Sequence, residues 1–337
     1  MSLAKWRLVE VGELDITTIA LSKLTVPRHR WLEFRKLIGV SNMDELIDRI
    51  LADRPLLDRV RKVIYTHYRG VLDEAVALAK ELKREGVAFI PFYSPDYPEA
   101  LRRYRPKAPV YRPLGLYVKP PVSLRGRFIG VVGTRDCSEW GRRVAWETGR
   151  LVAQAGFTLV TGLAECIDAS ATLGALEAGG LAVGIRPWLK PLQLPGESRR
   201  LLEAYGDRIA LASEHYTKPP VSPRMLYYMR NRIIAGMSDL VVVVEARPEG
   251  GSMHQIKWSI KCGKQLAIYE HPDPKSEYYK AYQEYKSYNG TVVLKTTGDL
   301  RELLEQCRIY DISNLQTRIK IEFNASFGDL RRELWHS

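Results

Sequence analysis

The residues best suited to chemistry in this chain are glycines, hydroxyls and arginines placed just after apolar runs. In one group, Gly133, Thr134 and Arg135 end the run Phe128–Val132, and Thr161 and Gly162 end the run Phe157–Val160. In a second, Arg230, Asn231 and Arg232 are followed by the run Leu240–Val244 and by Gly250, Gly251 and Ser252. Glycine lets a ligand approach the main chain, hydroxyl and N–H groups donate to an anion's oxygens, and guanidinium forks onto phosphate. Where a strand of an α/β sheet hands over to a helix, the positive end of the helix dipole adds to this. The chemistry implied is phosphate binding.

Three carboxylates stand in or beside the same motifs. Asp168 reads as the cap of a helix opening at Ile167, or, with Glu165 and Glu245, as part of a ligand pocket around a ribose or nucleobase. Arg230 and Arg232 also have a plainer reading as a surface pair neutralised by Glu214 or Glu245. No nucleophile–base pair, acid pair or metal cluster of comparable quality accompanies them. No catalytic residue is therefore assigned, and neither a metal nor a cofactor is expected. The first turn matches neither Gly-x-Gly-x-x-Gly nor the P-loop pattern, which disfavours nicotinamide, flavin and P-loop nucleotide chemistry.

Such turns need a sheet to hold them. The sequence predicts strands at 128–132, 157–160, 181–185, 208–212, 240–245, 265–269 and 291–294. Between them it predicts helices at 140–155, 167–178, 197–205, 231–237, 253–260 and 278–288, with a closing helix at 299–306. This alternation makes the fold class α/β, a doubly wound, mostly parallel sheet covered on both faces. Val241–Val244 is apolar throughout, as a strand buried on both sides requires.

Upstream, residues 1–86 read as a small helical domain. Trp31, Leu32, Phe34, Leu37 and Ile38 have helical spacing, Gly39 is a stop, Ser41–Asp44 is a new cap, and Gly86 closes the last helix. Residues 87–126, with strand-like Val87–Ile90 and many prolines, read as a linker with extended pieces. Residues 127–307 form the α/β domain, and 308–337 a short extension with a strand-like run at 318–323.

With 337 residues, 45% hydrophobic and 27% charged, the composition is that of a soluble globular protein. The net charge of +12 and pI near 9.5 favour a polyanionic partner such as nucleic acid, though a thermophile-like surface gives the same balance. No apolar run reaches the ~18 residues of a membrane span, and the N-terminus has no apolar signal core, so a cytoplasmic location is expected. Cys137, Cys166, Cys262 and Cys307 are too scattered for a metal knuckle and are expected as free thiols. Cys166 reads as a packing residue, because no base adjoins it.

Taken in order, the motifs resemble the DprA/Smf family of DNA-processing proteins. They are Gly133-Thr-Arg135, Thr161-Gly-Leu-Ala-Glu-Cys-Ile-Asp168, Ala175-Leu-Glu-Ala-Gly-Gly180, Ser213-Glu214, Arg230-Asn-Arg-Ile-Ile-Ala-Gly236, Val243-Val-Glu-Ala246 and Gly251-Ser252. Tyr97-Pro-Glu-Ala-Leu101 extends the likeness upstream, and the helical N-terminus suits it. The resemblance implies an extended Rossmann fold, binding of single-stranded DNA without sequence preference, homodimerisation and loading of a RecA-type recombinase. It implies no established catalytic activity. Three positions depart from the family. Glu165-Cys166 stands where a basic residue and glycine are usual, Thr172 where histidine is, and Tyr228-Met229 where Phe-Pro is. A glutamate beside phosphate opposes binding unless paired, so Glu165 faces away, pairs with an arginine such as Arg135, or marks a changed ligand.

The expected function is thus that of a DprA-like single-stranded DNA-binding recombination mediator. Trp188-Leu-Lys190 and Tyr227-Tyr-Met-Arg230 interleave rings with cationic side chains, as a stacking groove would, although the same aromatics also suit a core. The alternative is a nucleotide-ligand sensor or nucleotide-processing enzyme on the same scaffold. Strand-length and salt dependence of binding separate the two.

Overall fold

The computed structural model describes residues 13–25, 28–52, 54–104, 112–120, 124–288 and 290–309. The extension at 310–337, with its strand-like run at 318–323, and the N-terminal residues 1–12 lie outside the described residues.

Five helices come first: α1 (Glu13–Thr25), α2 (Arg28–Ile38), α3 (Met43–Ala52), α4 (Arg54–His67) and α5 (Arg69–Arg84). The punctuation falls where the sequence places it. Gly39 takes φ +76° after α2, and Gly86 takes φ +64° after α5, conformations that favour glycine. At the start of α3 the Asn42 side chain accepts the Glu45 N–H at 2.9 Å, while the Glu45 carboxylate accepts the Ser41 N–H at 2.7 Å.

Next come β1 (Ala88–Pro91), α6 (Glu99–Arg103) and β2 (Gly115–Lys119). From β3 (Phe128–Val132) strands and helices alternate: α7 (Glu139–Gln154), β4 (Thr158–Thr161), α8 (Ile167–Glu177), β5 (Ala182–Ile185), α9 (Gly196–Tyr205) and β6 (Ile209–Ser213). The second half is α10 (Pro223–Met237), β7 (Leu240–Val243), α11 (Gly251–Lys261), β8 (Gln265–Tyr269), α12 (Glu277–Tyr285), β9 (Thr291–Leu294) and α13 (Thr297–Ile309).

The strands form one nine-stranded sheet in the order β1-β2-β6-β5-β4-β3-β7-β8-β9. All pairs are parallel except β1–β2 and β2–β6. Here the linker reading of residues 87–126 needs correcting. Its extended pieces are the edge strand β1 and its neighbour β2, paired from Ala88↔Val118 to Pro91↔Gly115, with β2 then pairing onto β6. Pro91 is tolerated because it ends an edge strand.

Chain order places the candidate crevice. From β3 the chain runs outward through β4, β5 and β6, then returns across α10 to β7 on the other side of β3. At such a reversal the loops at the carboxyl ends of adjoining strands splay apart and leave a cleft. The strands beneath it are rigid, since every residue of β3 and β7 is buried.

Helices α7 and α8 approach to main-chain contact. A Cβ on Gly149 would collide with the Ala171 carbonyl, and one on Gly174 with the Trp146 carbonyl. This close packing sets the two helix N-termini side by side at the rim of the cleft.

Candidate functional site

The turns after β3, β4 and β7 meet α10 and the start of α11 around a crevice of about 780 Å³. Gly133 begins the first turn, where a side chain would strike Ile167. The Thr134 N–H donates to the Glu245 carbonyl at 2.8 Å, which ties this turn to the end of β7. Arg135 is exposed, its guanidinium 5.6 Å from the ring centre of Tyr227.

The turn after β4 is held from several directions. Leu163 and Cys166 adopt left-handed φ values of 49° and 64°, uncommon for residues with side chains. The Asp168 carboxylate accepts the N–H groups of Gly162 at 2.9 Å and Ala164 at 3.2 Å. Thr161 Oγ1 accepts the Leu163 N–H at 3.0 Å, and Glu197 accepts the Cys166 N–H at 2.8 Å. Strained backbone persists only where the surroundings over-determine it, and it gathers at functional sites.

Three guanidiniums, those of Arg135, Arg186 and Arg230, lie within electrostatic reach of the Asp168 carboxylate. Arg230 is 7% exposed and lies against Gly162, where a Cβ would collide with Nη1. Its Nε has no hydrogen-bond partner among the described residues. Arg186, which follows β5, is buried and donates to the Gly162 carbonyl at 2.6 Å, and its Nε is unpartnered in the same sense. Burial, then the charge of Arg186, lowers Arg230 to about 10, so it stays charged at neutral pH. Burial raises the Asp168 carboxyl above its ordinary range, while Arg230 beside it pulls the other way. Tyr227 lies among these groups, with Arg230 5.8 Å from its ring and Trp188 edge-on at 6.2 Å.

Several expected residues take other places. Arg232 is not in the crevice. It is 1% exposed and its Nη2 lies 2.7 Å from both oxygens of Glu214. The expected helix start at Asn231 is the middle of α10, which begins at Pro223 with Ser222 as its cap. Residues two apart on a helix project about 200° apart, so Arg230 and Arg232 face opposite ways. The Ser222-Pro223 pair, a cap followed by proline in the first turn, was the signal for the earlier start.

Asn231, Gly251 and Ser252 do line the crevice, as do Gly133, Thr134 and Arg135. Thr161 and Gly162 shape it from behind. Glu165 is exposed and is not among the lining residues. Glu245 is 1% exposed and holds the start of α7, accepting from the Ser138 N–H at 3.0 Å and from its hydroxyl. The pocket of Glu165, Asp168 and Glu245 is therefore not assembled.

The expectation of four free thiols is also corrected. Cys137 and Cys166 form a disulfide across the rim, with Cα atoms 5.8 Å apart. Each directly precedes the first residues of one of two tightly packed helices, a positional equivalence that spacing alone concealed. Cys262 and Cys307 are free, and burial raises their thiols to about 11 and about 12. Arg224, Arg247 and Gln255, which line the crevice, and Arg186, which donates to the Gly162 carbonyl, were missed. Only Arg186, first after an expected strand, stood where a sheet-end rule points.

Known proteins resemble this chain in sequence and fold. The family model described as DNA recombination-mediator protein A matches residues 88–304. The chain is 30% identical to DNA processing protein DprA of Bacillus subtilis over 188 residues, 55% of this chain and 61% of that protein. It is 31% identical to Protein Smf of Synechocystis over 180 residues, 53% of this chain and 45% of that one. The chain thus spans about half the length of these curated relatives. Among solved structures, DprA from Streptococcus pneumoniae superposes with a TM-score of 0.57 at 21% identity, covering 86% of this chain and 97% of that one. DNA processing protein A from Helicobacter pylori, solved for its single-stranded DNA binding mode, gives 0.52 at 18% identity, covering 65% and 96%. At these identities the structural likeness speaks to the fold. The matched segment contains every strand of the sheet and every wall of the crevice, and the chain belongs to the DprA/Smf family, whose model is that of DNA recombination-mediator protein A.

Proposed function

We propose that the crevice binds the sugar-phosphate backbone of single-stranded DNA and that the protein acts as a recombination mediator, as a homodimer that loads a RecA-type recombinase. One observation carries the DNA reading. Arg135, Arg186 and Arg230 lie within electrostatic reach of the buried Asp168 carboxylate, and the Nε atoms of Arg186 and Arg230 have no hydrogen-bond partner among the described residues. Unpaired buried charge is costly, and an entering phosphate relieves it. The half-buried Tyr227, flanked by two of these arginines, offers a ring on which a base can stack. The single-stranded DNA binding of the Helicobacter pylori relative and the net charge of +12 support the same reading.

The crevice reads as a binding site rather than a catalytic one. Ser138, Glu245 and His271 do come together, with His271 Nε2 3.2 Å from Glu245. The carboxylate lies between serine and histidine and serves as a helix anchor, so this is not a nucleophile activated by a base. The carboxylate cluster that a nucleotide-processing site would need is dispersed.

The test is a titration of matched single-stranded and duplex oligonucleotides at two salt concentrations and several lengths. Tighter single-strand binding that grows with length and weakens steeply with salt is expected. Equal or tighter duplex binding, or a mononucleotide bound as well as a long strand, overturns the reading.

A further inference from the structure

The far wall of the crevice is formed by the start of α11, and it is open in a way that the starts of α7, α10 and α12 are not. Ser138, Ser222 and Ser276 each cap their helix with a side-chain oxygen. The cap of α11 is Gly250, which makes no side-chain hydrogen bond, and the first turn carries no acidic residue. A Cβ on Gly251 would meet nothing within 4 Å. The N–H groups and the positive dipole end of an eleven-residue helix therefore face open space beside the arginines.

A second observation makes this more than a helix terminus. Gln255, one turn further along α11, lines the same crevice yet is only 2% exposed. Both its Oε1 and its Nε2 lack any hydrogen-bond partner among the described residues. A buried amide with donor and acceptor both unused is costly, and each such group calls for an explanation. An acceptor-only ligand such as phosphate satisfies Nε2 and leaves Oε1 bare. The complement of a carboxamide is a group presenting an adjacent acceptor and donor, and the edge of a nucleobase does so. In a duplex the pairing edge is occupied and only adenine, through N6–H and N7, still presents such a pair in the major groove, whereas an unpaired base of any type offers it.

We infer that Gln255 and the N-terminal turn of α11 form a nucleobase subsite, in which the amide pairs with the edge of one unpaired base while the helix start takes a neighbouring phosphate. The inference rests on the single-stranded DNA reading above and adds the group that recognises the base. Tyr228, packed edge-on against His254 at 5.2 Å, closes the wall on the side of α10. Arg230 and Asn231, also on α10, line the same crevice. The strand would then be held at two levels, its backbone by charge and one base by hydrogen bonds.

The test is a two-by-two comparison. Parent and Gln255→Leu proteins, with folding checked by thermal melting, are titrated with an oligothymidylate and with the same strand carrying abasic sugars throughout. Gln255→Leu is expected to weaken binding of the natural strand about tenfold, to leave the abasic strand unchanged, and to keep the salt slope of the parent. The parent is expected to lose at least as much when the bases are removed. If Gln255→Leu binds both strands as the parent does, or weakens both equally, the base subsite is overturned while the DNA reading stands. If the variant does not fold, the parent alone decides, because equal affinity for natural and abasic strands overturns the subsite. If the parent binds neither strand, the DNA reading falls and takes this inference with it.

Discussion

Arg230 occupies the space that any side chain at position 162 would need. A Cβ there would run into Nη1, so the absence of a side chain at Gly162 is what seats the guanidinium against the turn after β4. This pairing spans the two halves of the motif set and holds the proposed anion contact within a rigid frame. Arg230→Ala is expected to weaken DNA binding on the order of tenfold or more, since charge-assisted contacts are worth roughly 1.5–3 kcal/mol. Gly162→Ala is expected to do much the same with the arginine intact, because the guanidinium is displaced. Fluorescence titration at two salt concentrations checks both, and a Gly162→Ala protein with parental affinity would refute the seating argument.

Arg232 should behave differently, although it is only two residues away. Burial pushes the Glu214 carboxyl up, and Arg232 more than offsets this, holding it below the usual carboxylate range. A carboxyl lowered in the folded state contributes stability above its unfolded pKa and loses it as pH falls through the folded value. The pair therefore supports the fold at neutral pH and fails in acid. Arg232→Ala leaves Glu214 largely buried without its partner, a change that typically costs about 3–5 kcal/mol. Thermal and urea melts should show this loss at pH 7, shrinking below about pH 4. DNA affinity of the folded fraction should stay close to parental, and a specific loss of binding with unchanged melting would return Arg232 to the anion site.

The two arginines also mark how far the sequence could be read. The sheet was legible because its strands are short apolar runs separated by helical periodicity, and all seven expected strands lie within a residue or two of the observed ones. The turns Gly133–Arg135 and Gly162–Asp168 were legible because sheet ends and helix starts follow local rules. Arg232 was misplaced because a two-residue spacing keeps side chains together on a loop and separates them on a helix. Glu245 was misread because its carboxylate turns inward to Ser138, a contact set by tertiary packing. Arg186 and Gln255 carried no local signal of burial. Their importance comes from which polar atoms the fold leaves unpartnered, which no spacing records.

The charge of Asp168 opposes the anion proposed for the crevice that it helps to shape. Its oxygen Oδ2 accepts two N–H bonds that shape the turn, yet its charge cancels one of the three guanidiniums. The amide of Asp168→Asn keeps an oxygen for those N–H groups while removing the charge. Single-stranded DNA is expected to bind this variant severalfold more tightly, with a steeper salt slope. Because burial raises the Asp168 pKa, the parent should gain affinity as pH falls through the raised value, and the variant should lack that step. Identical pH profiles for the two proteins would remove Asp168 from the electrostatics of the site.

The Cys137–Cys166 bridge should act as a clamp on the same crevice. It joins the turn that carries Arg135 to the cap of α8, closing a loop with a sequence separation of 29. Chain entropy assigns such a cross-link roughly 3–4 kcal/mol of stability at most, and native-state costs reduce it. The environment of Cys166 also suits the reduced form. Arg142 Nη2 lies 3.3 Å from its Sγ, the Cys137 N–H lies 3.2 Å from it, and α8 begins at the next residue. A nearby cation and a helix N-terminus stabilise thiolate, which favours exchange with an external dithiol. Reduction by dithiothreitol, which leaves as its own cyclic disulfide, is expected to lower Tm by several degrees. It should also weaken DNA binding severalfold, because the Arg135 turn loses an anchor and must be ordered on binding. A protein with serine at both positions should resemble the reduced parent and ignore the reductant. Mass spectrometry of the alkylated protein reports whether the bond has opened. A fully reduced parent with unchanged Tm and unchanged affinity would show that the bridge clamps nothing.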